Sequence, residues 1–256
     1  MLIEICVDSL DSALTAERGG ADRIELCSDL LEGGITPSAG LIQTVRSKLD
    51  IPIFVMIRPR GGDLYYSPSE FDLMVLDLLE AKRLGANGLV LGLLKIDGQI
   101  DVERTSRLVE LAYPLEVTFH RAIDMAPDME RACADVVLTG AHRILTSGGK
   151  QTAHLGAAQI ARLVQVANGK LNVMAGSGVR AHNVEELARI TGAKEFHGSL
   201  RKPMASPVTY QNQALSMGVQ KDNEFIRYQL LEEDVRALRD AVDRIEQFAG
   251  HGESLH

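Results

Sequence analysis

The sequence predicts a single (β/α)8 barrel, and three observations carry that prediction. The chain has 256 residues, close to the usual size of such a barrel. Before a candidate strand a Gly-Ala pair recurs four times, at Gly20-Ala21, Gly85-Ala86, Gly140-Ala141 and Gly192-Ala193, each after an amphipathic segment. Eight apolar runs alternate with helical periodicity across residues 1–200. Such alternation implies parallel strands joined by crossover helices. A glycine closing each helix suits a C-cap that needs positive φ. An open, doubly wound sheet is the competing arrangement.

The strands are expected near 2–7, 23–27, 52–57, 88–92, 115–120, 142–146, 171–176 and 195–198. Helices fill the gaps at 9–18, 38–49, 68–84, 102–111, 125–138, 156–166 and 184–191. No interruption marks a second domain within 1–200. Beyond it, 201–256 reads as a C-terminal extension packed on the barrel. Residues 201–222, with Pro203, Pro207 and many polar side chains, read as an irregular excursion. A final helix is expected over 232–248, where Val235, Leu238, Val242, Ile245 and Phe248 recur three or four apart. Residues 250–256 are expected to fray.

Composition narrows the class. Apolar residues make up 45% and charged residues 24%, as in soluble globular proteins. The net charge of −8 argues against a general binder of nucleic acid or anionic membrane. No run approaches the length of a membrane span, and the N-terminus lacks the pattern of a signal peptide. Three cysteines do not make a disulfide framework. The expectation is a cytoplasmic protein with reduced thiols.

Strand side chains alternate between faces, so each strand nominates an inward set. Strand 1 turns Glu4 and Cys6 inward, and strand 2 turns Arg23, Glu25 and Cys27. Strand 3 contributes Phe54, Met56 and Arg58, and strand 5 contributes Glu116, Thr118 and His120. Arg143 comes from strand 6, Asn172 and Met174 from strand 7, and Glu195, His197 and Ser199 from strand 8. Barrel interiors are usually filled by branched apolar residues, and buried charges must be paired. A self-satisfied Glu/Arg network in the lower barrel is one reading of Glu4, Glu25, Arg23 and Arg143. The C-terminal strand ends, where barrels of this kind carry their active sites, hold Cys6, Cys27, Met56, Arg58, His120, His197 and Ser199.

Two chemistries compete there. Cys6 and Cys27 occupy matching positions on adjacent strands, and with Met56 and His120 they form a soft donor set suited to Cu(I) and tolerable for Zn(II). Buried cysteines acting as small apolar fillers are the alternative. The second chemistry is anion binding. Gly176-Ser177-Gly178 after strand 7, Gly198-Ser199 after strand 8 and Ser147-Gly148 after strand 6 are donor-rich turns on one rim, where such barrels often cradle phosphate. Arg58 and Arg60 offer a clamp for a carboxylate or phosphate. His120 is an acid/base candidate with Glu25 as a carboxylate partner. Asp124 and Asp8 are read as helix caps or as orienting carboxylates.

EICVDS at 4–9, GADRIELC at 20–27, GGITPS at 33–38, MIRPRGGD at 56–63, TFHRAID at 118–124, ILTSGG at 144–149 and AGSGV at 175–179 together resemble the CutC family, described as copper homeostasis proteins. The resemblance implies a (β/α)8 barrel, a cytoplasmic setting, self-association as a homodimer and a link to copper. It also implies cysteine ligation of copper, at Cys6 and Cys27. A barrel enzyme acting on a small phosphorylated or carboxylated substrate is the alternative function.

Overall fold

A computed structural model describes residues 1–212, 214–215 and 224–252, the last five by backbone only. Apolar alternation places β1 at Leu2–Val7, β2 at Arg23–Leu26, β3 at Ile53–Met56 and β4 at Gly88–Leu91. The ring continues with β5 at Glu116–Phe119, β6 at Arg143–Thr146, β7 at Asn172–Gly176 and β8 at Glu195–Gly198. All pair in parallel in chain order, and β8 pairs with β1, with Glu4 opposite both Arg23 and His197. That closure rules out the open sheet.

The helices are α1 (Leu10–Arg18), α2 (Ala39–Arg46), α3 (Pro68–Arg83), α4 (Val102–Ala112), α5 (Met129–Leu138), α6 (Ala157–Ala167) and α7 (Val184–Thr191). Serines start three of them: Ser9, Ser38 and Ser67 each accept a backbone N–H of the first turn. The four repeat glycines Gly20, Gly85, Gly140 and Gly192 all have positive φ, 70° to 91°, so the repeat marks one turn geometry used four times. The core between sheet and helices is built from Ile3, Ile5, Val7, Ile24, Leu26, Ile53 and Val55, all fully buried, and their counterparts around the ring.

Three expectations change. Helix α2 stops at Arg46, whose guanidinium turns back onto the carbonyls of Leu49 and Ile51. The helix expected over 125–138 is instead a 3-10 turn at Arg121–Met125 followed by α5, because Asp128 caps a new start on the Arg131 N–H. The excursion after the barrel is partly regular: β9 (Lys202–Ala205) pairs antiparallel with β10 (Ile226–Gln229) in an exposed ribbon. Helix α8 (Glu232–Gly252) then returns Val235, Leu238 and Val242 to the core. Part of 201–222, and residues 253–256 of the expected frayed end, lie outside the described residues.

Candidate functional site

The lower barrel is filled by an ion network. Arg23 donates to Glu4 and, at 2.8 Å, to Glu195. Arg143 donates to Glu195 at 2.6 Å and to Glu116 at 3.1 Å. Both guanidiniums lie near the Phe54 ring, 4.8 Å and 5.3 Å from its centroid. Gly88 makes room for that ring, since a Cβ there would sit 2.5 Å from it. These pairings satisfy Glu4, Glu195 and both arginines, so the self-satisfied reading describes Glu4, Arg23 and Arg143. It does not describe Glu25, which has no arginine.

Above this layer sit the thiols. The register puts Cys6 opposite Glu25, not opposite Cys27, so the two cysteines are staggered rather than matched. Their sulfurs still meet at 3.8 Å, because Cys27 continues β2 with its N–H on the Val7 carbonyl. Cys27 Sγ donates to Glu25 Oε2 at 3.4 Å. Sulfurs and carboxylate oxygen lie within 4.8 Å of one another. His197, from β8, is held by Glu4 at 2.7 Å through Nδ1, with Nε2 3.9 Å from Glu25 Oε2. Met56, Phe54 and Val90 pack against the thiols.

This packing divides the protons unequally. The hydrogen bond from Cys27, helped by His197 and opposed by burial, draws the Cys6 thiol down to about 5. Burial pushes Cys27 up, and the neighbouring Cys6 adds to it. Burial and the Cys6 charge raise Glu25 well above the carboxylate range. Burial works against charging His197, but Glu25, Cys6 and Glu4 more than reverse it and hold the imidazole protonated. Burial also opposes ionisation of Glu4, yet the Arg23 guanidinium and His197 bring its carboxyl down to about 2. At neutral pH the centre is a Cys6 thiolate facing a His197 imidazolium, beside a protonated Cys27.

A cavity of about 830 Å³ opens over this centre at the C-terminal strand ends. Its floor includes Cys6, Glu25, Met56, His120 and His197, and its rim includes Ser177, Gly178, Ser199 and Arg201. His120 fits against β4 because Gly92 lacks a side chain; a Cβ there would be 2.4 Å from Nδ1. Burial, aided by the Arg58 charge, lowers His120 to about 3, so the ring is neutral.

The sequence profile of the CutC family matches residues 1–202. A CutC family protein of Chromobacterium violaceum is 46% identical over 243 residues, 95% of this chain and 98% of its own. The chain belongs to the CutC family. A human relative named copper homeostasis protein cutC homolog is 48% identical over 217 residues, 85% of this chain and 80% of its own. A solved structure described as a copper homeostasis protein CutC from Streptococcus agalactiae superposes with a TM-score of 0.74 at 34% identity, covering 78% of this chain and 98% of that one. More distant barrels, among them a structure described as the aldolase QR15 (TM-score 0.58, 15% identity, 78% of this chain and 89% of that one), share the fold.

Within this CutC family chain, several expected site residues are otherwise engaged. Arg58 is no free clamp: Nη1 donates to the carbonyls of Glu32 and Gly34, and Nη2 to that of Gly62, so it fastens the loops after β2 and β3. Arg60 pairs with Glu70 and Asp63. The Ser147-Gly148 turn has its own internal anion. Asp124 accepts the N–H groups of Ser147 and Gly149 and the hydroxyls of Thr146 and Ser147, while the Gly148 N–H donates to Thr146 Oγ1. Asp124 is thus neither a helix cap nor a partner of His120. Asp8 pairs with Arg201, and Ser9 caps α1. Gly176 leaves space for Leu145, which a Cβ would meet at 2.4 Å. Ser177, Gly178, Gly198 and Ser199 remain at the cavity. His120 is absent from the donor atoms that converge on the thiols. Glu4 and His197 were legible as inward-facing residues, but their contact joins positions 193 apart. Gly92 had no sequence signal beyond its position at the end of an expected strand.

Proposed function

We propose that this protein binds Cu(I) in copper homeostasis, with Cys6 and Cys27 as ligands and Glu25 beside them. The 3.8 Å thiol pair, of which Cys6 lines the floor of an open cavity, carries this reading. Two metal–sulfur bonds of about 2.3 Å spanning that distance enclose roughly 110°. The pair therefore fits a bent two-sulfur site with room for a third donor, and Glu25 lies within reach. Thiolate sulfur favours Cu(I) over hard cations. Met56 shares one buried cluster with the two cysteines and is the thioether neighbour of the site; His120 has no part in this site. The unpaired state of Cys6, Cys27 and Cys133 supports a reducing, cytoplasmic setting. The exposed Leu73, Leu76 and Leu79 of α3 supply an apolar stripe for a homodimer.

An anaerobic Cu(I) titration against a competing chelator tests the site. We expect one equivalent held by the wild type and lost in the Cys6→Ser/Cys27→Ser double variant. Undiminished uptake in that variant, or preference for Zn(II) when both ions compete, rejects the reading.

A further inference from the structure

Two polar groups on the cavity floor are satisfied on one side only. His120 accepts the Ala122 N–H on Nδ1 at 3.2 Å, so its proton sits on Nε2. That Nε2–H is buried and has no acceptor among the described residues. Glu25 Oε2 takes the Cys27 thiol, while Oε1 is buried without a donor. The two side chains are 5% and 3% exposed and both line the cavity. Native proteins rarely leave buried polar atoms unpaired, and each exception asks for a partner. Here one group offers a proton and the other an oxygen, in one chamber of about 830 Å³. That volume is in the usual range for a small-molecule site.

The rim has a different character. Arg201 donates through Nη1 to Asp8 and lies against Tyr228, but its Nε is buried and unpaired. The backbone N–H groups of Gly178 and Ser199 donate to no other described residue. Ser177 and Leu200 hold φ of 76° and 52°, conformations that non-glycine residues seldom adopt away from functional loops. Five arginine and lysine side chains line the cavity against four aspartate and glutamate side chains, although the chain carries −8. The mouth therefore favours an anion, and the floor favours hydroxyl or carbonyl oxygens.

We propose that the cavity binds a compact polyhydroxylated or hydroxy-carbonyl organic anion, with its oxygens between His120 and Glu25 and its charged end at the rim formed by Ser177, Gly178 and Ser199 beside Arg201. A ligand hydroxyl donates a hydrogen bond to Glu25 Oε1, and a ligand oxygen accepts one from the His120 Nε2–H. This goes beyond the copper reading and stands without it, since neither His120 nor Arg201 belongs to the thiol cluster. Glu25 serves both sites, so the test is made on metal-free protein with a Cu(I) chelator present.

The probes are glycerol 3-phosphate, propyl phosphate and inorganic phosphate, followed through the ¹H–¹⁵N signal of the His120 ring and by calorimetry. We expect glycerol 3-phosphate to move the His120 Nε2–H signal saturably. It should bind roughly tenfold or more tighter than propyl phosphate, as one or two added hydrogen bonds require. Arg201→Gln should weaken both esters. His120→Phe should erase the preference for the glycerol ester, and His120→Gln, which keeps a donor, should restore part of it. Equal binding of the two esters, an unmoved His120 signal, or a preference that survives His120→Phe overturns the proposal. The ring signal is read on the unaltered protein, so a variant that fails to fold leaves the test intact.

Discussion

The unequal sharing of protons between Cys6 and Cys27 should show in how Cys6 reacts with a disulfide reagent as pH changes. With its thiol drawn down to about 5, Cys6 is about 99% thiolate at pH 7, against about 3% for an ordinary cysteine. That is a roughly 30-fold gain in reactive form. Lower basicity weakens the nucleophile, however. A Brønsted slope of about 0.4–0.5 over roughly 3.5 units costs about 25- to 55-fold. The effects nearly cancel at pH 7, so the absolute rate there reveals nothing. At pH 5.5 they do not cancel: about 75% thiolate against about 0.1% leaves Cys6 roughly 10- to 30-fold faster. The assay is stopped-flow reaction with a dipyridyl disulfide between pH 4 and 9, with modified residues located by peptide mapping. Cys133, whose thiol burial pushes up to about 11, should stay silent at low pH. We expect the Cys6 rate to be flat from about pH 6 upward and to fall below about pH 5. A Cys6 rate that climbs steadily to pH 8.5 refutes the thiolate–imidazolium assignment.

Other outcomes follow from the same contacts. Glu4→Gln leaves Arg23 and His197 short of a shared carboxylate; breaking such a buried pair should cost about 3–5 kcal/mol in urea unfolding, and the Cys6 inflection should move upward. The Glu4 carboxyl is lower in the folded than in the unfolded chain, so its contribution is present above its unfolded value. It fades as pH falls toward about 2, and the acid limb of the wild-type stability curve should flatten in the Gln variant. Gly88→Ala drives a methyl against the Phe54 ring and should cost about 1–3 kcal/mol, read as a lowered urea midpoint. Asp124→Ala removes the acceptor of four donors after β6 and should lower Tm by several degrees without altering the Cys6 profile. Loss of the Cys6 inflection there would show the two regions to be coupled.

The barrel was legible because its signals are local. Four Gly-Ala turns each encode a positive-φ helix end, and period-two alternation assigned Glu4, Cys6, Arg23, Glu25 and Cys27 to the interior without any contact information. The site was legible only as a list of inward-facing residues, because partner choice depends on register and reach. Arg58 points inward by alternation, yet three backbone carbonyls of neighbouring loops claim its guanidinium. Ser147 and Gly148 have the composition of a phosphate cradle, but Asp124, 23 residues before Ser147, already fills it. The stagger of Cys6 and Cys27 is a register property that a motif such as Glu-x-Cys does not encode. The β9–β10 ribbon was hidden for a related reason: its strands lie more than 20 residues apart and carry no buried face to impose alternation.

The most direct test of the copper site is X-ray absorption at the copper edge of protein loaded anaerobically with one equivalent of Cu(I). We expect two sulfur scatterers at about 2.3 Å, with both lost in Cys6→Ser/Cys27→Ser. A first shell of nitrogen and oxygen alone, or a two-sulfur shell that persists in the double variant, would contradict ligation by this thiol pair.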